Sequence, residues 1–290
     1  MRDLILQALF SGLLIGGVYA LVALGLALSF GAMRIINLAH GELVLIAAYA
    51  AYVVEARGGV SPYWAIPLAL AIVSVVGAVL FLMIDRIREH RELNSLILTY
   101  GVGIVLTNAV LLAFASDVRT TTAPALQDAV TLGPVYAMAG EIVAFGLSLV
   151  LMVALWWWLK RSWYGRAVRA VSSNRAAATL MGINPLRTEL VAFLVAGALA
   201  SFAGVALYTM SVVQPALGHA LTVKAFIVTV LAGVGSIPGV FLAALLLGVT
   251  EALTVTLASS ALQELAGMVL FLLVLFLLPS GLFGARARRG

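Results

Sequence analysis

The sequence has no cysteine and only 3 histidines among its 290 residues. The missing cysteines exclude disulfide bonds and thiol chemistry, and the histidines do not have the spacing of a metal site. Charge is also scarce, because 10% of the residues are charged, whereas a soluble domain usually has about 25%. Hydrophobic residues make up 63% of the chain. A water-soluble protein of this size has no means of burying so much apolar surface, so the composition predicts a membrane protein with several spans.

The remaining charges are mainly positive, with a formal net charge of +5 and a pI of about 9.8. In a soluble protein this balance would suggest nucleic-acid binding. Here the cations lie in short segments between apolar runs, as the positive-inside rule describes, so we expect a surrounding lipid bilayer and no nucleic acid. The sequence also has no P-loop, G-x-S-x-G or H-E-x-x-H motif. We therefore expect no enzyme, and no nucleotide, metal or cofactor site within this chain.

Eight apolar stretches are candidate membrane segments: residues 4–30, 36–54, 62–84, 93–114, 136–159, 188–213, 221–257 and 262–278. Most of them reach the roughly 20 residues that are needed to cross a bilayer. They are continuously apolar rather than alternating, which favours helices over a β-barrel. The sequence therefore predicts an all-α, polytopic transmembrane helical bundle that forms one domain over residues 1–290.

The distribution of charge predicts the orientation of the segments. Residues 85–92, residues 160–187 and the C-terminal tail, with Arg286, Arg288 and Arg289, are rich in cations and should be cytoplasmic. Residues 115–135 have one Arg and two Asp and should face the other side. If residues 187 and 286 are both cytoplasmic, the chain between them crosses the membrane an even number of times. Since residues 188–213 and 262–278 cross once each, residues 221–257 must cross twice or not at all. We expect about 8–9 membrane segments, with a broken helix in this stretch and the N-terminus outside.

Small residues recur at four-residue spacing in two of the apolar stretches. They are Gly12, Gly16 and Ala20 in the first, and Ala196, Ala200 and Gly204 in the sixth. This spacing lets helices approach closely in lipid. The pattern predicts close packing within the chain, or alternatively an interface between subunits.

Polar residues gather at the start of the second apolar stretch, where Asn37, His40, Gly41 and Glu42 follow one another closely. Asn37 is a candidate N-cap, and a helix N-terminus within the membrane suits an anionic group of a substrate. At about 100° per residue, His40 and Glu42 lie nearly opposite one another. We therefore expect one of them to face a substrate pathway and the other a neighbouring helix. The alternative is that these residues only anchor the end of a helix.

Glycine and proline interrupt the stretch at residues 221–257, and the candidates for a role in the pathway are Gly233, Gly235, Ser236 and Pro238. A break in a helix leaves backbone N–H and C=O groups without their helical hydrogen bonds. Within the membrane this is tolerated only where other protein groups or a water-lined cavity form hydrogen bonds with them. Such a break permits a hinge or brings carbonyl groups to a ligand. Close packing at a kink is the alternative, and the sequence does not separate the two.

The segment at residues 160–187 has six of the chain's 17 basic residues and no Asp or Glu. Trp163, Tyr164 and Gly165 are expected to end one helix, and an alanine-rich stretch predicts a short helix that stops before Pro185. Its candidate contact residues are Arg166, Arg169, Asn174, Arg175, Ala177, Gly182, Ile183 and Asn184. Such a helix fits a groove on a cytoplasmic partner. The alternative is a basic loop that lies on anionic lipid headgroups.

Together these motifs resemble the permease subunits of branched-chain amino acid ABC importers, of the shorter, LivH type. The resemblance runs almost end to end. It rests on residues 16–25 (GGVYALVALG), 36–42 (INLAHGE), 165–170 (GRAVRA), 174–175 (NR), 181–183 (MGI), 224–226 (KAF), 235–239 (GSIPG) and 281–284 (GLFG).

The resemblance implies a complex in a bacterial cytoplasmic membrane. Its other members would be a second permease subunit, cytoplasmic ATPase subunits that bind the ATP, and a periplasmic or extracellular substrate-binding protein. The segment at residues 160–187 would couple to the ATPases, although Ala176 stands where other importers have an acidic residue. Residues around Asn37, His40 and Glu42 would lie on the pathway.

Three other functions remain open. The first is import of urea or short amides, by permeases that share the NLAHGE segment. The second is a membrane-embedded enzyme that uses His40, Glu42 or Asp85, against which the opposite placement of His40 and Glu42 counts. The third is a channel, which would need no ATPase.

Overall fold

The structure is a computed structural model that describes residues 1–233 and 235–283. Within these ranges the chain is helical except for one antiparallel pair of short strands. The elements are α1 (Arg2–Met33), α2 (His40–Gly58), α3 (Ile66–Asp85), α4 (Arg91–Phe114), α5 (Pro124–Gln127), β1 (Ala129–Leu132), β2 (Val135–Met138), α6 (Ala139–Arg161), α7 (Trp163–Ser173), α8 (Arg175–Leu180), α9 (Pro185–Met210), α10 (Leu217–Ala232), α11 (Ile237–Leu257) and α12 (Gln263–Leu277). Short 3₁₀ turns, Pro62–Ala65 and Ser260–Leu262, precede α3 and α12.

Seven helical segments in the described ranges are long and apolar enough to cross a membrane, and α10 is a shorter apolar helix. The helix α2 has 19 residues and is less apolar because it contains two glutamates and an arginine. With α2 and α10 included, the described segments fall within the expected range. The predicted polytopic helical bundle is confirmed.

The chain turns back into the bundle between α1 and α2. Arg34 ends α1 in the left-handed conformation, with φ 55°. His40, the first residue of α2, places its ring Nε2 3.0 Å from the carbonyl oxygen of Val22. Val22 lies 11 residues before Met33, which is about 16 Å along a helix. The helix α2 therefore begins inside the membrane layer rather than at its surface.

The break predicted in residues 221–257 is present and separates α10 from α11. With 16 residues, α10 is about 24 Å long, which is shorter than the roughly 30 Å of hydrocarbon in a bilayer. Ser236 caps α11 by accepting a hydrogen bond from the backbone N–H of Gly239. The two-helix prediction is confirmed, although the first helix begins at Leu217 instead of residue 221.

The small residues at four-residue spacing bring helix backbones together within the chain. A methyl group built on Gly12 would lie 2.6 Å from the Cα of Val249 in α11. One built on Gly204 in α9 would lie 2.1 Å from the carbonyl oxygen of Val44 in α2. No side chain fits at either distance. At these glycines the prediction of packing within the chain is confirmed.

Contacts at the two ends of α1 relate its direction to the predicted orientation. Near its start, Gln7 exchanges two hydrogen bonds of 2.9 Å with the backbone of Tyr136 in β2. Past its end, Arg34 donates to the carbonyl of Ser172 in α7, at 3.3 Å. The start of α1 and residues 160–187 therefore lie at opposite ends of the bundle, and the placement of the N-terminus outside stays a prediction from charge. The tail with Arg286, Arg288 and Arg289 lies outside the described residues.

Two of the wrongly predicted helix boundaries lie at short extended segments. The stretch from residue 136 begins as strand β2, and α6 starts at Ala139 because Glu141 accepts a hydrogen bond from the backbone N–H of Met138. The helix expected to end at residue 213 ends at Met210. Val213 instead forms an isolated β-bridge with Arg119. In both places a short extended pairing, on the side that is predicted to be external, replaces a turn of helix.

Candidate substrate pathway and coupling segment

Asn37 does not cap α2. Its Oδ1 accepts a hydrogen bond of 3.0 Å from the backbone N–H of Ala39, whereas α2 begins at His40 without a side-chain cap. The prediction of an N-cap was wrong because the asparagine, three residues before the start of the helix, closes a local turn with Ala39. The backbone N–H of His40 instead donates to the backbone carbonyl of Asn37, at 3.2 Å.

His40 and Glu42 face different neighbours, as their angular separation predicts. His40 is buried against α1, where its Nε2–H donates to the carbonyl of Val22. A methyl group built on Gly25 would lie 2.8 Å from the His40 ring. The histidine is thus enclosed by a neighbouring helix and has no open face towards a pathway.

Glu42 points between α4 and α10. It is 4% exposed, and its Oε2 has no hydrogen-bond partner among the described residues. A methyl group built on Gly218 of α10 would lie 3.1 Å from the carboxyl carbon, and one on Gly103 of α4 would lie 3.5 Å from it. Two glycines therefore make room for a buried carboxylate with one unused oxygen. Leaving such a group unsatisfied costs about 1–3 kcal/mol or more, so the arrangement points to a cationic or hydrogen-bonding ligand.

The starts of α2 and α10 meet beside this carboxylate. The backbone N–H of Gly41 donates to the hydroxyl of Thr222 at 2.8 Å, and that hydroxyl lies 3.3 Å from the carbonyl of Leu38. A methyl group built on Gly41 would lie 1.9 Å from the carbonyl oxygen of Gly218, so only glycine fits. The N-termini of two helices, each a positive dipole end, thus lie against one another at this junction.

The open side of this junction is formed by α4 and the first turn of α10. The rings of Tyr100 and His219 make an edge-on contact with centroids 6.4 Å apart. Tyr100 and the nearby Ile104 are exposed. An apolar and aromatic surface therefore lies next to the polar junction.

The residues of the broken helix lie elsewhere. Gly235, Ser236 and Pro238 line a cavity of about 1110 Å³ near the ends of α1 and α6. Gly233 packs instead against Gly281, on which a methyl group would lie 2.5 Å from the Gly233 nitrogen. The structure thus places Gly235, Ser236 and Pro238 at a cavity separate from the α2–α10 junction, and Gly233 at neither. The residue between Gly233 and Gly235 lies outside the described ranges.

The segment at residues 160–187 forms two short helices. The expectation that residues 163–165 end a helix was wrong, because Ser162 accepts a hydrogen bond from the Gly165 N–H and starts α7 there. Asn174 caps α8 through Ala177, and Asn184 caps α9 through Arg187. Between them Gly182 takes a positive φ of 80° and Ile183 bonds back to α8. The predicted alanine-rich helix and its stop are confirmed.

The arginines of this segment bind the body of the protein. Arg166 and Arg169 donate to carbonyl groups at the end of α6. The Nε of Arg175 lies 2.9 Å from buried Glu189 in α9, which also pairs with Arg91 of α4 at 3.0 Å. These arginines fix the segment in place.

The tip of α8 is apolar instead. Leu180 and Met181 are 88% and 82% exposed. The sequence analysis did not include these two residues among the candidate contacts of the segment. An apolar pair next to a helix end, in a loop that is predicted to be cytoplasmic, could have indicated them.

Comparison with known proteins now bears on these features. Residues 8–278 match the family described as branched-chain amino acid transport system / permease component. The chain belongs to this permease family. It is 32% identical to the high-affinity branched-chain amino acid permease protein LivH of Salmonella typhimurium, over 96% of this chain and 95% of the relative. It is equally similar, at 32%, to BraD of Pseudomonas aeruginosa over the same shares. It is 29% identical to the ribose import permease protein RbsC of Escherichia coli, over 88% and 80%. No solved structure matches.

Membership of this family defines the type of protein. The permease is the multi-pass membrane component of a branched-chain amino acid ABC transport system, similar to LivH of the bacterial inner membrane. It is a transport subunit and not an enzyme, and ATP is bound by partner ATPases.

A buried ion pair joins four membrane helices of the permease. Lys224 Nζ in α10 lies 2.7 and 2.6 Å from the carboxylate oxygens of Glu251 in α11. Tyr19 of α1 donates to the same carboxylate at 2.8 Å, and Gln263 of α12 does so at 2.9 Å. Sequence reasoning used Lys224 only as part of a motif and missed Glu251. A lone cation and a lone carboxylate in neighbouring apolar runs were the available signal.

A second carboxylate that sequence reasoning missed lies on the side that is predicted to be external. Glu55, near the end of α2, accepts hydrogen bonds from Tyr208 of α9, from the Thr121 hydroxyl and from the Thr122 N–H. These bonds hold the loop after α4 against α2 and α9.

Proposed function

We propose that this permease imports hydrophobic amino acids together with a second permease subunit, cytoplasmic ATPase subunits and an external substrate-binding protein. The observation that carries the proposal is the unpaired Glu42 oxygen at the meeting point of α2 and α10. The LivH and BraD relatives are described as branched-chain amino acid permeases, which supports the same substrate class.

The junction offers complementary groups to a zwitterion. The free carboxylate oxygen of Glu42 suits the α-ammonium group, because a charge-assisted hydrogen bond is the strongest way to satisfy it. The uncapped N–H groups of α10's first turn suit the α-carboxylate. The exposed Tyr100 and Ile104 surface provides apolar contact for the side chain. Asn37, His40 and Gly41 then serve as positioning residues that hold the start of α2.

We propose further that residues 160–187 are the coupling segment of a single permease domain, with Leu180 and Met181 inserted into the ATPase. Because Glu189 pairs with Arg175 of the coupling segment and with Arg91 of α4, a displacement of α8 is transmitted to α4 and α9. Gly103 of α4 lies beside Glu42, since a methyl group built on it would be 3.5 Å from the carboxyl carbon. This sequence of contacts connects the cytoplasmic face with the junction.

Uptake into proteoliposomes that contain the complete complex tests the proposal. We expect ATP-dependent uptake of labelled leucine. Glu42→Gln should lower the uptake at least tenfold, because the loss of one charge-assisted hydrogen bond corresponds to about 1.5–3 kcal/mol. Glu264→Gln, which removes an exposed carboxylate at the start of α12, is the matched control and should leave it unchanged.

Ribose and urea serve as competing substrates in the same assay. Ribose is the substrate named for one relative, and neither compound has an ammonium group for Glu42. Uptake of ribose or urea in place of leucine would disprove the substrate class. Normal leucine uptake by Glu42→Gln would disprove the placement of the site and leave the substrate class intact.

A further inference from the structure

The cavity of about 1110 Å³ lies at the end of the bundle where α1 ends and α4 begins. Its other walls are the corner between α6 and α7 and the turn before α11. Since Ser172 of α7 and the start of the coupling segment lie here, this is the predicted cytoplasmic side. The volume exceeds the roughly 300–1,000 Å³ of typical small-molecule pockets, and is much more than one amino acid needs.

The polar part of the cavity is basic. Arg34, Lys160 and Arg169 line it together with one carboxylate, Glu92, so three cations face one anion and the local balance is +2. In residues 1–233 and 235–283, none of the three cations lies within 4.0 Å of a carboxylate. Arg34 and Arg169 each donate to one backbone carbonyl. An arginine has five N–H donors, so both retain donors for an anion.

The remainder of the cavity is apolar and is bordered by exposed apolar side chains. Its walls include Phe30, Leu96 and Leu159. Leu93, in the first turn of α4, is 66% exposed at its edge. Trp156 of α6 is also exposed, and Lys160 Nζ lies 4.8 Å from the centre of its ring. A tryptophan beside a lysine at the end of a membrane helix is typical of the headgroup level of a bilayer.

We propose that this cavity binds one anionic phospholipid of the cytoplasmic leaflet. Its phosphate is held by Arg34, Lys160 and Arg169, and one acyl chain lies along the apolar wall. Basic pockets between helices on the cytoplasmic side are suited to anionic headgroups. The combination of a basic end with an apolar side that is bordered by exposed apolar side chains distinguishes a lipid from a free phosphate. Because α1, α6 and α7 all contact the cavity, the lipid stabilises the position of the coupling segment.

The first experiment measures lipid retention by the purified complex. The complex is washed in neutral detergent and titrated with phosphatidylglycerol or phosphatidylcholine, and bound lipid is counted by native mass spectrometry. The site variant is Arg34→Gln with Lys160→Gln. The control is Arg2→Gln with Arg57→Gln, which removes the same charge from exposed positions on the opposite side. We expect wild type and control to retain phosphatidylglycerol, and the site variant to bind it about 30-fold less tightly, since each cation near a charged membrane surface contributes about a factor of five.

The second experiment uses the wild-type chain, so it does not depend on the folding of a variant. A phosphatidylglycerol with a photoactivatable acyl chain is cross-linked to the complex in nanodiscs. We expect cross-links in the last turn of α1, the first turn of α4 and the end of α6. Soluble glycerol phosphate and leucine should not reduce them.

Three results would overturn the assignment. Equal retention by the site and control variants would show that these cations do not hold a lipid. Displacement by glycerol phosphate would make the cavity a site for free phosphate. Displacement by leucine would make it a vestibule of the transport pathway.

Discussion

The buried pair of Lys224 and Glu251 gives the sharpest prediction about stability. Removing one partner of a buried ion pair costs about 3–5 kcal/mol. In Lys224→Met the Glu251 carboxylate keeps its hydrogen bonds from Tyr19 and Gln263, so we expect the lower end, about 3 kcal/mol. For a chain of this size that corresponds to a fall in Tm of about 6–12 °C.

The double variant Lys224→Met with Glu251→Met tests whether the pair acts as a unit. Replacing both charges with apolar groups removes the unpaired charge, so it should cost about 1 kcal/mol and far less than the sum of the two single variants. Thermal unfolding of the purified complex can be followed through tryptophan fluorescence, because thiol-reactive dyes have no cysteine to label in this chain. Glu264→Met, an exposed carboxylate, is the control.

Two outcomes would refute the reasoning. One is a Lys224→Met variant that unfolds at the wild-type temperature. The other is a double variant whose cost equals the sum of the single costs, since additive costs mean that the two side chains do not interact.

Three further predictions concern the junction and the coupling segment. Gly41→Ala should abolish leucine uptake, because its methyl group would lie 1.9 Å from a carbonyl oxygen of α10; Gly31→Ala, which meets nothing within 4 Å, should transport normally. Glu189→Gln should leave ATPase binding intact but lower the uptake per ATP hydrolysed at least threefold, since it weakens the ion pairs from α8 and α4. Leu180→Asp with Met181→Asp should abolish co-purification of the ATPases, because these two side chains form the exposed apolar tip.

Each of these has a contradicting result. Normal uptake by Gly41→Ala would show that the junction opens during transport. If Glu189→Gln left the uptake per ATP hydrolysed unchanged, α4 would not transmit movement between the ATPase and the junction. If Leu180→Asp with Met181→Asp still co-purified with the ATPases, the docking surface would have to be formed by the arginines of residues 160–187 instead.

Local signals accounted for the elements that the sequence predicted well. Asn174 caps α8, Gly182 has the positive φ of a helix stop, and Asn184 caps α9. Each of these features depends on residues only a few positions apart, so it can be predicted from the sequence. The same applies to the break before α11, where Ser236 caps the new helix.

Errors arose where a local signal had two structural outcomes or where partners were distant in the sequence. Asn37 has the side chain of an N-cap but closes a turn instead, and nothing adjacent to it decides between the two. Glu251 and Lys224 are 27 residues apart and meet only because α10 and α11 pack antiparallel. The exposure of Leu180 likewise depends on how α8 is held by Glu189.

The inward starts of α2 and α10 have a consequence for the energetics of transport. Because α2 begins about 16 Å along α1 from the end that is predicted to be cytoplasmic, the insulating layer at this point is about half of a full bilayer on either side. A charged solute held there crosses two thin barriers in succession, and the electrostatic cost of each is lower than that of one full-thickness barrier.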